Sequence, residues 1–266
     1  MPGLIDYHYK FYGERSCPLL IFLHGFMGSS EDWQEVIAHL SAEFYCLAID
    51  LPYHGRTKVF AGPGELTFES IAGELAELFR SLGNSPSYLM GYSMGGRLSL
   101  HLALHFPELF RAVVLESASP GLMSRREREA RIADDRQLAA KLRSGDFREF
   151  LVNWYQQPLF GELSAHPKFD ELLNSRLRND AARLANSLAV LGTGQQPSLW
   201  EKLTQLSVSC FLVTGEKDEK YVAISEEMHK RNKSIRLEIV RNCSHNVHFQ
   251  KPGEFAKLLR EFFMAV

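Results

Sequence analysis

The stretch SYLMGYSMGGRLSL, residues 87–100, constrains the fold of this chain more than any other. Its first half is a continuous apolar run, read as a strand covered on both faces, and the residues from Met94 onward read as a helix. Gly-Tyr-Ser-Met-Gly, residues 91–95, must therefore reverse the chain within a few residues. Such a turn holds Ser93 in a strained backbone conformation, and Gly91 and Gly95 leave room for strand and helix to close up. The hydroxyl then stands at a helix N-terminus, where the dipole favours negative charge on oxygen. Serine alone is a weak nucleophile or base, so this placement calls for a histidine and an acid later in the chain.

Five more apolar runs recur along the sequence, at 19–23 (LLIFL), 45–49 (YCLAI), 112–116 (AVVLE), 210–214 (CFLVT) and 236–240 (RLEIV). Between them lie helical patterns; over 67–83, Phe68, Ile71, Leu75, Leu78 and Phe79 recur at helical spacing before Gly83 stops the run. Alternating strand and helix predicts an α/β fold, a mostly parallel sheet flanked by helices with its site outside the carboxyl ends of the strands. The rhythm breaks from 121 to 200, which is rich in helical sequence and has no buried strand. We read it as a helical cap inserted between two strands, dividing the core into residues 1–120 and 201–266.

Composition narrows the functions available. A net charge of −2 offers no field for nucleic acid, and no apolar run approaches the roughly 20 residues of a spanning helix. The N-terminal segment lacks the apolar core of a signal peptide, which leads us to expect a cytoplasmic protein without stable membrane association. Cys17, Cys46, Cys210 and Cys243 show no CxxC spacing, and the ten histidines show neither HExxH nor HxH. No metal and no cofactor is therefore expected. The sequence carries no signal of oligomeric state.

The partners that Ser93 requires are present in the order acid, then histidine. GEKDEKYV puts Asp218 just past a strand, with Glu216 and Glu219 as rivals; SHNVH puts His245 just past the next, with His248 as rival. FLHGFMGSS, residues 22–30, supplies a turn able to aim a backbone N–H at the site, so Phe26 and Met94 are the expected oxyanion-hole amides. His24 and His54 are expected to shape turns. Arg97, four residues past Ser93, lies on the serine's side of the helix and suits a substrate bearing a carboxylate; its alternative is a surface pair with Glu74 or Glu77. Of the arginines at 125, 126, 128, 131 and 136, most are expected on a solvated face, paired with Glu127, Asp134 and Asp135.

LHGFMGSSEDW, DLPYHG, GYSMGG, GEKD and SHNVH together resemble the α/β-hydrolase superfamily over nearly the whole chain. GYSMGGR, ESASPGL followed by ERxxR at 127–131, NWYQQPLF and LRND at 177–180 are similar to one branch, the 2-succinyl-6-hydroxy-2,4-cyclohexadiene-1-carboxylate synthases. The resemblance implies Ser93, Asp218 and His245 as triad, Arg97, Arg131 and Arg178 as carboxylate ligands, and Tyr92 and Trp154 as pocket walls. It also implies a small polycarboxylate substrate, from which a Ser93–His245 base eliminates pyruvate. Tyr53 departs from the glycine usual in DLPGHG. Two alternatives use the same residues: hydrolysis of a carboxylate-bearing ester or C–C bond, and a non-catalytic ligand receptor in which the triad only donates hydrogen bonds.

Overall fold

The computed structural model describes residues 4–62, 64–83 and 86–266; residues 1–3 of the N-terminal segment lie outside the described residues. Its strands are β1 (Ile5–Asp6), β2 (Tyr9–Tyr12), β3 (Leu19–Leu23), β4 (Tyr45–Ile49), β5 (Lys58–Val59), β6 (Ser87–Tyr92), β7 (Phe110–Glu116), β8 (Ser209–Gly215) and β9 (Arg236–Val240). Its helices are α1 (Gln34–Leu40), α2 (Phe68–Ser81), α3 (Met94–His105), α4 (Arg125–Ser144), α5 (Phe147–Tyr155), α6 (Phe169–Arg176), α7 (Ala181–Leu191), α8 (Glu219–Arg231), α9 (Val247–Gln250) and α10 (Pro252–Phe263). The six apolar runs are β3, β4, β6, β7, β8 and β9, extended by a residue or two in three cases.

Seven strands form one sheet in the order β2-β4-β3-β6-β7-β8-β9. Only β2 runs antiparallel to its neighbour; it escaped the sequence reading because its half-exposed edge pattern contains no apolar run. Alternate residues of the buried strands serve opposite faces. Leu20, Phe22, Met90 and Val114 pack with α1 and α10, whereas Ile21, Leu23, Leu89, Val113 and Leu115 pack with α2 and α3. Cys46 and Cys210 are buried in β4 and β8 as small apolar residues. Helix α2 opens on a reciprocal capping box between Thr67 and Ser70, and Gly83, at φ 69°, takes the left-handed conformation that ends such a run.

Helices α4 to α7 lie between β7 and β8 and close over the carboxyl edge of the sheet. They have a core of their own, Ala139, Leu142, Leu151, Leu173, Leu184, Ala185 and Leu188, into which the core loop after β3 inserts Met27 with Phe26 beside it. No helix among the described residues is long and apolar enough to cross a membrane. The parallel order fixes the location of the site. Residues just past β3, β6, β8 and β9 all emerge at the same sheet edge, beneath the cap.

Candidate active site

Ser93 sits between β6 and α3 at φ 48°, ψ −106°, a conformation that costs on the order of 1–3 kcal/mol for a residue with a side chain. The turn is held by hydrogen bonds on both sides. Ser93 N–H donates to the Glu116 carbonyl at 2.8 Å, and Arg97 N–H donates to the Ser93 carbonyl at 2.9 Å. A Cβ on Gly95 would stand 2.6 Å from the His24 carbonyl oxygen, and one on Gly91 would stand 2.5 Å from that of Gly95, so both glycines are sterically required.

His245, five residues past β9, bridges serine and acid. Its Nε2 lies 3.0 Å from Ser93 Oγ and its Nδ1 lies 2.6 Å from Asp218 Oδ2. Asp218 is fully buried, so its carboxylate fixes the tautomer of His245 and leaves Nε2 to accept the serine proton. Two rivals are engaged elsewhere, since Glu216 accepts the Asn242 N–H and His248 holds the buried Glu116 carboxylate through both its ring Nδ1 and its backbone N–H, and the third, Glu219, is exposed. Glu116, which the sequence reading missed, thus carries the elbow on its carbonyl and the loop after His245 on its side chain.

The loop after β3 is built by two histidines. His24 accepts the Leu51 N–H on Nε2 and donates from Nδ1 to the Gly25 carbonyl; His54 accepts the Met27 N–H on Nε2 and donates from Nδ1 to the Pro52 carbonyl. Burial, partly opposed by Asp50, lowers the pKa of His24, and burial, reinforced by the charges of Arg183 and Arg176, lowers that of His54 well below the usual range. Both rings are therefore neutral structural groups, as expected. Among the described residues neither the Phe26 nor the Met94 N–H is bonded within the chain. Tyr53 adopts φ 69°, so the residue replacing the usual glycine keeps a glycine-like backbone.

Phe26, Tyr92, Ser93, Met94, Arg97, Arg131, Trp154 and His245 all line one cavity between core and cap. Tyr92 packs its ring 5.3 Å from that of His245, and Trp154, on α5, meets Phe26 edge to face at 5.4 Å. Arg97 is buried and makes no surface pair with Glu74 or Glu77. Its guanidinium donates to the Leu191 carbonyl at 2.6 Å and to Gln196 Oε1 at 3.4 Å. Burial pushes its pKa down to about 10, so it remains charged at neutral pH, and among the described residues it has no carboxylate partner of its own. Arg131 gives its Nε to Asp135 at 2.8 Å; of the remaining arginines, Arg125 pairs with Glu129 on the surface.

A family model described as alpha/beta hydrolase fold matches residues 18–252. The 2-succinyl-6-hydroxy-2,4-cyclohexadiene-1-carboxylate synthase of Serratia proteamaculans (strain 568) is 35% identical, over 95% of this chain and 95% of the relative. The synthase of the same name from Escherichia coli O1:K1 / APEC is 31% identical, over 94% and 96%. MenH from S. aureus superposes with a TM-score of 0.91 at 28% identity, over 97% of this chain and 98% of its own. The chain belongs to the α/β-hydrolase family, in the branch of these synthases.

Within this α/β-hydrolase framework one implied residue is out of place. Arg178 does not line the cavity; it is 67% exposed and pairs with Glu31 at 2.9 Å. The LRND segment clamps cap to core instead. The neighbouring Arg176 grips Asp32 with two bonds of 2.6 and 2.8 Å and donates from Nε to the Tyr155 hydroxyl, and Asn179 donates to the Met27 carbonyl at 2.8 Å. Burial alone would lower the pKa of Arg176, but Asp32 and Tyr155 outweigh it and raise it. Among the cavity residues that escaped the sequence reading are Lys220 and Tyr221, although they stand two and three residues past Asp218 in the GEKDEKYV motif.

Proposed function

We propose that this chain is a carbon–oxygen lyase of quinone biosynthesis. It eliminates pyruvate from 2-succinyl-5-enolpyruvyl-6-hydroxy-3-cyclohexene-1-carboxylate and leaves 2-succinyl-6-hydroxy-2,4-cyclohexadiene-1-carboxylate. The observation that carries this reading is the Ser93–His245–Asp218 chain of hydrogen bonds opening into a cavity that also holds a buried guanidinium, Arg97, with no carboxylate partner among the described residues. A neutral ester would gain nothing from that buried charge, whereas a polycarboxylate supplies its counter-ion.

Each residue has a chemical task in this scheme. Asp218 orients His245 and stabilises its charged form, and His245 accepts the proton of Ser93 Oγ as that oxygen takes the proton beside the succinyl carbonyl. The Phe26 and Met94 amides hold the enolate oxygen that develops. The electron pair then moves through the ring double bond and expels enolpyruvate through its ether oxygen, and the methylene carbon of that enolate takes up a proton, from protonated His245 or from water, to give pyruvate. No acyl-enzyme forms. Arg97 and Arg131 bind substrate carboxylates, while Tyr92 and Trp154 shape the walls. The free state of all four cysteines suits a cytoplasmic setting.

A coupled assay for pyruvate released from the enolpyruvyl precursor tests this function. Hydrolysis, the rival chemistry, would instead give a rapid burst and efficient turnover with p-nitrophenyl acetate. A receptor would do neither.

A further inference from the structure

A substrate with three carboxylates brings three negative charges into the cavity, and the displacement of Arg178 leaves two arginines to meet them. Arg131 already shares its charge with Asp135. A third cation lies on the cavity wall, at the first turn of α8: Lys220, whose side chain makes no ion pair among the described residues. Its ammonium stands 5.5 Å from the centre of the Tyr221 ring, and that ring in turn packs 4.7 Å from the ring of His245. It therefore faces the same space as the triad, near enough to Arg131 and Asp218 for both to act on its charge.

We propose that Lys220 binds one carboxylate of the substrate, taking the place in the cation set that the resemblance gave to Arg178. The inference rests on the lyase reading, since only a polycarboxylate supplies a third anion. Two features support it. Lys220 is exposed at the rim of the cavity, yet desolvation by the protein packed around its ammonium and the repulsion of Arg131 both lower its pKa, so an arriving carboxylate relieves an unfavourable cluster of positive charge. A lysine is also suited to a partly open position, because it is a mobile point charge that holds and releases an anion without the fixed fork of an arginine.

The test compares steady-state pyruvate release by the wild type with that of Lys220→Gln, Lys220→Arg and, as a surface control, Lys217→Gln. Wild-type activity is the check on the lyase reading itself; without it that reading fails before the role of Lys220 is reached. With it, Lys220→Gln is expected to raise KM by about 10- to 100-fold, the size of a lost charge-assisted hydrogen bond, with kcat within about threefold. Lys220→Arg should stay within about threefold of the wild-type KM, and Lys217→Gln should be unchanged. A KM for Lys220→Gln within twofold of wild type, or a loss confined to kcat, overturns the proposal. A second measurement needs no variant: both products together at saturation, the cyclohexadiene dicarboxylate and pyruvate, should slow acylation of Lys220 by an amine-selective reagent, read by peptide mass. Equal labelling with and without product overturns the proposal as well.

Discussion

At the scale of single residues the site is an arrangement of protons and charges. Asp218→Asn keeps the shape of the triad but removes the carboxylate that fixes the His245 tautomer, and we expect kcat to fall by about 10²- to 10⁴-fold with little change in melting temperature; near-normal turnover would assign Asp218 to structure alone. Arg131→Ala should act mainly on KM, raising it about tenfold or more, and an unchanged KM would mean that the guanidinium points away from substrate. Arg178→Ala should leave kcat/KM within about twofold, because that side chain is mostly exposed and its ion pair with Glu31 is at the surface. The difference between these arginines shows where sequence reading stopped. Ser93, Asp218 and His245 were legible because chain order and position after a strand determine where each emerges. Whether Arg176 or Arg178 faces inward depends on how α6 docks on the core, and nothing within LRND specifies that. Lys220 was not legible for a similar reason, since nothing within GEKDEKYV specifies which side of the first turn of α8 meets the cavity.

At the scale of elements, the strands were legible because residues buried on both faces leave unbroken apolar runs, and the helical stretch between β7 and β8 was legible because that signal disappears there. The attachment of cap to core was not. It depends on the Arg176–Asp32 ion pair, with both side chains no more than 9% exposed, and on Asn179 holding the Met27 carbonyl beside the Phe26 amide. Arg176→Ala strands the Asp32 carboxylate in a buried position, and we expect a loss of about 3–5 kcal/mol in urea unfolding. A midpoint equal to wild type would show that the clamp contributes nothing net. The same clamp links the cap to chemistry, because the loop that it holds carries one of the two proposed oxyanion donors.

At the scale of the whole molecule, buried histidines make the fold sensitive to acid. His24, His54 and His101 are held neutral mainly by burial, His101 with its pKa lowered to about 4 from 6.5. Above about pH 6.5 folded and unfolded chains both carry neutral imidazoles, so these groups add no pH dependence. Below it the unfolded chain takes up protons that the folded chain refuses. Stability therefore falls as pH drops from about 6.5 towards 4, by about 1.4 kcal/mol per pH unit for each such proton. Burial alone would raise the pKa of Asp50, but backbone hydrogen bonds from Arg56 and Ser30 outweigh it and lower it, so Asp50 adds a loss in the same direction at lower pH. Melting temperatures at pH 7.5 and 5 check this, and equal values would contradict it. The neutral His24 and His54 rings also hold the Phe26 loop, so acid should disorder the proposed oxyanion hole together with the fold.

The central claim is that Ser93 Oγ, backed by His245 and Asp218, removes the proton that starts pyruvate loss. Pyruvate release from the enolpyruvyl precursor, measured side by side for the wild type and Ser93→Ala, addresses it most directly. We predict release by the wild type without an acyl-enzyme and a fall of at least about 10³-fold in the variant; a serine-free enzyme that still turns over at the wild-type rate would contradict the account.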